Sequence, residues 1–384
     1  MPVPRPSVPR NRSVPHRRSI LRDHGVRSGG VILAGLGAGL LVAATAVPAQ
    51  AAGSSYVALG DSYSSGTGTR TYLNDGTACQ RSIYAYPSLI ASAAGYALNF
   101  RACSGATIPD VTNTQLSALG AGTAYVTLSV GGNDAGFADV LTECAKPGWM
   151  SNCNGRIDTA QSFINATLPS RLAALYDAIQ ARSPQARVTI VGYPRIFNGD
   201  DCNAFTWFSP SEESRLNQTA DLLNSKLATL AASKGFAFAN PTNAFVGHAV
   251  CDRAEWINGL SNPISESYHP KVVGHSSGYL PTVSPFVTGS TLRLTPAIRA
   301  TAAASAERLT TQQRRYAALD RTITPKSFVA PDLTTPEAKA AAARAGVDLS
   351  SRASIDSRMS VGVSGRTRVG WITECGSPSP TTSR

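Results

Sequence analysis

The sequence predicts an α/β fold built on a parallel sheet, and three observations carry that prediction. Apolar strand-like runs alternate with amphipathic helical stretches between residues 53 and 239. The central runs are apolar without a regular polar alternation, as in strands covered on both faces. Three successive runs end in clusters of Gly, Ser or Asn, a composition suited to a ligand-binding lip beyond the carboxyl ends of parallel strands.

The first strand is Tyr56-Val57-Ala58-Leu59, which runs into Gly60-Asp61-Ser62-Tyr63-Ser64. A turn-rich stretch over 67–82 and a helix over 84–95 follow. The second strand covers 97–102 and ends in Cys103-Ser104-Gly105-Ala106-Thr107. The third covers 124–130 and ends in Gly131-Gly132-Asn133-Asp134. A helix over 157–182 is expected from Leu168, Leu172, Leu175 and Ile179, which step by four, three and four. The fourth strand starts at Arg187. Ser209-Pro210-Ser211-Glu212 has capping-box spacing with Pro at the first helical position. The helix it starts stops at Gly235, and Phe236 to Ala239 is a short fifth strand. Residues 240–283 carry little regular pattern. One basic helix is expected over 295–321, with only Ile298, Leu309, Tyr316 and Leu319 as an apolar stripe, and no core is expected from Thr334 onward.

Charge divides the chain into the same three parts. The net charge of +11 resolves into 7 basic and 1 acidic residues in 1–52, 14 and 16 in 53–283, and 14 and 7 in 284–384. The middle part is nearly neutral, so nucleic acid is not an expected partner. In the first part seven arginines precede an uncharged run from Val31 to Val47, and Ala49-Gln50-Ala51 offers small residues to a signal peptidase. Residues 1–52 are therefore expected to be a cleaved export signal, 53–283 the functional domain, and 284–384 a basic, Ala/Thr/Arg-rich, partly disordered extension. An exported domain with six cysteines (Cys79, Cys103, Cys144, Cys153, Cys202 and Cys251) and no CxxC pair calls for three disulfides rather than a metal site. Six cysteines allow 15 pairings; closeness in sequence favours 79–103, 144–153 and 202–251. Cys375 is left over.

Ser62, at the end of a buried strand, is a candidate nucleophile, and such a serine needs a base and oxyanion donors. Beyond residue 52 only His248, His269 and His275 could serve as base. His269 precedes Pro270, which keeps it extended. A turn could bring either the Glu266 carboxylate or the Ser267 carbonyl to its Nδ1–H and fix the tautomer. The Ser62 and Gly105 N–H groups and the Asn133 amide could converge on one developing oxyanion. Gly274-His275-Ser276-Ser277-Gly278 matches a nucleophile-elbow pattern, but no histidine follows residue 275 and no long apolar strand leads into it, so Ser276 is set aside.

Gly60-Asp61-Ser62-Tyr63-Ser64, Gly105 with its neighbours, Gly131-Gly132-Asn133-Asp134 and Glu266-Ser267-Tyr268-His269-Pro270 together resemble the four blocks of the SGNH (GDSL) hydrolases, in family order, over roughly residues 54–283. The match is near the secreted actinobacterial lipases and esterases. The resemblance implies a three-layer α/β/α, flavodoxin-like fold with a five-stranded parallel sheet. It implies that Ser62 is the nucleophile, His269 the base, and Ser62, Gly105 and Asn133 the oxyanion hole, and it supports the three sequential disulfides. The family usually has Asp where this chain has Glu266, which leaves open a Ser-His-Glu triad or a Ser62–His269 dyad assisted by the Ser267 carbonyl. The implied protein is a secreted, monomeric lipase, phospholipase or esterase that needs no cofactor or metal. Lipid or other esters are its partners, with transient contact at a lipid surface. Two other readings are a deacetylase of polysaccharide or cell-wall polymer, and a cell-envelope binding protein acting through the basic extension.

Overall fold

The computed structural model describes residues 53–357. The expected export signal, and Cys375 with the end of the extension, lie outside them. Five strands form one sheet: β1 (Ser55–Gly60), β2 (Ala97–Phe100), β3 (Tyr125–Ser129), β4 (Arg187–Val191) and β5 (Ala237–Ala239). Every pairing is parallel and the spatial order is β2-β1-β3-β4-β5. In register, Tyr56 lies opposite Leu98 on one side and Tyr125 on the other. The order reverses between β1 and β3, and in an open α/β sheet the crevice at that reversal is where ligands bind.

Helices cover both faces. Tyr86–Ala94, Leu280–Thr288 and Pro296–Ala304 pack together in one layer; Phe137–Cys144, Cys153–Ala166, Leu168–Arg182 and Pro210–Ser233 form the other. Val57, Leu59, Val126, Leu128 and Ile190 are buried between the layers. The longest helix starts as expected: Ser209 accepts from the Glu212 N–H, and the Glu212 carboxylate accepts from the Ser209 N–H. The three disulfides are Cys79–Cys103, Cys144–Cys153 and Cys202–Cys251.

Two helical expectations are corrected. The helix expected over 157–182 is two helices that meet at Thr167. Pro169 has no N–H to continue the ladder, and its ring crowds the preceding turn. The single helix expected over 295–321 is three, Pro296–Ala304, Ala306–Arg314 and Ala317–Asp320.

In the extension, Ala302, Leu309, Ile323 and Phe328 are buried in the main core. Beyond Thr334, where no core was expected, Ala342, Val347 and Ile355 form a second small cluster around Trp207. The strongest tie is ionic. Asp320 accepts from Arg81 Nη2 at 2.6 Å and from Arg101 Nη2 at 2.6 Å, with all three side chains fully buried, and Asp75 pairs with Arg81 from the other side. The thin apolar stripe is thus supplemented by an enclosed charge network that joins the extension to the segment around β2.

Candidate active site

β1 ends at Gly60, whose φ is +125° and where a Cβ would lie 2.4 Å from the Ser129 carbonyl oxygen; only glycine fits this turn. The Gln115 amide holds Gly60 from the side, accepting from its N–H at 2.7 Å and donating to its carbonyl at 2.9 Å. Asp61 then caps the short turn Ser62–Ser65 by accepting from the Tyr63 N–H. Its carboxylate also accepts from Ser129 Oγ at 2.7 Å and Tyr193 Oη at 2.5 Å. Burial pushes the Asp61 carboxyl up to about 6, against these three donors, which pull it down. The turn carrying Ser62 is therefore fixed by β3 and by the Tyr193 that follows β4.

His269 comes from the loop after β5, more than two hundred residues further along. Its Nε2 lies 2.8 Å from Ser62 Oγ and its Nδ1 2.9 Å from the Ser267 carbonyl oxygen. A carbonyl can only accept, so Nδ1 carries the proton and Nε2 is left to accept the serine O–H. Burial drives the imidazole down to about 4, with the Ser267 carbonyl pulling the other way; at neutral pH the ring is the free base. Tyr268, just before it, sits in the left-handed region at φ +63° and is fully buried. Its carbonyl accepts from Tyr63 Oη at 2.8 Å, which ties the histidine loop to the serine turn. A non-glycine residue in that conformation costs on the order of 1–3 kcal/mol, and such strain is sustained where surrounding packing overdetermines it.

Ser62, Gly105, Asn133, Ser267 and His269 line one cavity, although they come from four separate segments. The Ser62 and Gly105 N–H groups have no hydrogen-bond partner among the described residues. Gly105 has φ +81°. Asn133 Nδ2 donates to the Ala106 carbonyl at 3.0 Å, which sets the plane of the amide. Asp134 accepts from the Ile108 N–H at 3.0 Å and braces the same loop, and Cys79–Cys103 anchors its start.

Glu266 behaves differently from a triad acid. Its carboxylate makes no hydrogen bond with the His269 ring; the two residues meet only through the backbone, where the His269 N–H donates to the Glu266 carbonyl at 3.3 Å. Its Oε1 accepts from Tyr72 Oη at 2.6 Å, and its Oε2 faces Arg70 Nε at 3.3 Å. Of the two orienting groups left open by the sequence, the Ser267 carbonyl is the one in contact. The remaining histidines lie elsewhere: His248 stacks on Trp256, and His275 is buried against Tyr86 and Tyr279. Ser276 is tucked into a helical turn, its hydroxyl donating to the Val273 carbonyl.

Sequence reasoning did not single out Tyr63, Tyr193 or Gln115, the braces of the serine turn. Nor did it find Lys326 and Phe328, which reach the cavity beside Ser62 and His269 from the extension. A second, larger cavity opens beside Ser62, lined among others by Phe137, Ala160, Ile164, Tyr193, Leu216 and Leu223.

Comparison with known proteins agrees with this architecture. The model of the GDSL-like Lipase/Acylhydrolase family matches residues 58–276. Lipase 1 of Streptomyces coelicolor is 43% identical over 252 residues, covering 65% of this chain and 92% of that protein. The crystal structure of the extracellular lipase from Streptomyces rimosus superposes with a TM-score of 0.57 at 42% identity, over 62% of this chain and all of that one. Phospholipase A1 from Streptomyces albidoflavus gives a TM-score of 0.58 at 40% identity over the same shares. The chain belongs to the GDSL-like lipase/acylhydrolase family and is an ester hydrolase.

Proposed function

We propose that this protein is an exported lipase or esterase that cleaves carboxylic esters with extended acyl chains through a Ser62–His269 dyad. His269 Nε2 takes the Ser62 proton as Oγ attacks the ester carbonyl, and the imidazolium then protonates the departing alkoxide. Water, activated by the same nitrogen, releases the acid from the acyl-serine. The Ser62 and Gly105 N–H groups and the Asn133 amide hold the oxyanion. The Ser267 carbonyl, rather than a carboxylate, fixes the imidazole. The single observation that carries this reading is the 2.8 Å contact between Ser62 Oγ and His269 Nε2 beside two N–H groups that have no partner among the described residues.

The acyl preference rests on the larger cavity, whose lining is mostly aliphatic and aromatic and suits a hydrocarbon chain rather than a sugar. Export is supported by three disulfides and the Arg-rich, apolar amino-terminal segment. A panel of methyl esters graded from acetate to palmitate, with acetylated xylan alongside, tests the reading. Highest kcat/KM at eight carbons or longer supports it; a preference for acetyl esters and release of acetate from xylan would move the substrate to polysaccharide.

A further inference from the structure

We propose that residues 324–328 of the carboxyl-terminal extension wall the leaving-group side of the active site and select esters of small alcohols. The inference rests on the Ser62–His269 reading. Two cavities meet at Ser62. In acyl transfer the Ser62 Oγ–carbonyl bond forms and the carbonyl–alkoxy bond breaks. The proton that Ser62 gave to His269 then passes to the alkoxy oxygen. The alcohol must therefore lie against His269. The larger cavity has Ser62 and Asn133 in its wall but not His269. The smaller has Ser62, Gly105, Asn133 and His269. The acyl chain takes the first and the alcohol the second.

Lys326, Ser327 and Phe328 form part of the wall of that second cavity, opposite Ser265 and Ser267. The segment is tied down on both flanks. Upstream, Asp320 is locked between Arg81 and Arg101, and Ile323 is buried. Pro325 lies against the oxyanion loop, its Cα 2.4 Å from where a Cβ on Gly105 would stand. The Phe328 ring meets Tyr268 edge-on at 5.0 Å, next to the catalytic histidine. Lys326 Nζ pairs with Asp139 at 3.1 Å, and the Val329 N–H donates to Thr142 Oγ1 at 3.0 Å. Asp139 and Thr142 belong to the helix Phe137–Cys144, so the segment bridges from the histidine loop to that helix. The bridge bounds the space beside His269, so a small alkoxy group is accommodated there while a diacylglyceryl group must displace the bridge.

The test measures kcat/KM for methyl, butyl and glyceryl octanoates in the same mixed micelles, using the full chain. Wild type should prefer the methyl ester over the glyceryl ester. Phe328→Ala, which removes the pin on Tyr268, should reduce that preference by about tenfold or more, and Ser327→Trp, which fills the cavity, should raise the methyl-over-butyl preference by about tenfold, as differences of a few methylenes do in a fitted pocket. Ser327 is exposed, so its replacement tests the wall even if Phe328→Ala folds poorly. A wild type with no alcohol preference, or both variants changing all three esters in parallel, would overturn the wall while leaving the dyad standing. A folded wild type inactive on all three would overturn the dyad as well.

Discussion

Glu266→Gln separates a dyad from a triad, and the structure sets its size. An orienting carboxylate on the histidine of a serine hydrolase contributes about 10⁴ in kcat, because its loss frees the wrong tautomer. Here the Nδ1–H donates to the Ser267 carbonyl at 2.9 Å, and the substitution leaves that bond in place. What Glu266→Gln does remove is the charge facing Arg70. The arginine side chain is 61% exposed and that of Glu266 only 1%, so solvent screens the pair from one side while the substitution also relieves a buried charge. The net contribution is about 1 kcal/mol or less. Tyr72 Oη can still donate to the amide oxygen. The variant should therefore lose less than about tenfold in kcat and less than about 1 kcal/mol in stability. Steady-state kinetics on a soluble octanoyl ester, paired with urea unfolding, reads both quantities. A fall in kcat beyond about 10³ with unfolding unchanged would place the carboxylate on the imidazole and refute the role given to the Ser267 carbonyl.

Three further outcomes follow from the same geometry. Asn133→Ala should keep its fold and lose about 10²–10³ in kcat, roughly 2.7–4 kcal/mol of barrier, as loss of one oxyanion donor does; near-wild-type turnover would exclude the amide from the reaction. The acid limb of kcat/KM should lie near pH 4. Burial holds His269 down to about 4, so the base is lost only as pH falls through that value, and a limb at 6.5 or above would contradict the buried free base. Asp320→Asn leaves Arg101 buried without its counter-charge and should cost about 3–5 kcal/mol in urea unfolding; a loss under about 1 kcal/mol would show that the extension is not integral to the fold.

The parts of this molecule that could be read from sequence are those governed by local pattern. Continuous apolar runs marked β1, β3 and β4, and the Gly/Ser/Asn clusters after three strands marked the lip. Ser62, Gly105, Asn133 and His269 could be named because each sits in a short block with its own chemistry. The break at Thr167 was signalled by Pro169, but the leucine spacing around it argued for one continuous helix. The extension was illegible for a different reason. Asp320 looks like a solvated surface charge until Arg81 and Arg101, 239 and 219 residues away, are brought against it. The same holds for Glu266, whose partner Tyr72 lies 194 residues upstream in a stretch that reads only as turn. Local spacing allowed His269 as its partner, with the Ser267 carbonyl as the alternative; the tertiary fold pairs the carboxylate with Tyr72.

Reaction with a fluorophosphonate followed by peptide mass mapping tests the central claim most directly. The account predicts one covalent adduct, on Ser62, formed in wild type and absent in Ser62→Ala. Its formation should slow severely in His269→Ala, which lacks the base. An adduct on another serine, or undiminished labelling of Ser62→Ala, would contradict it.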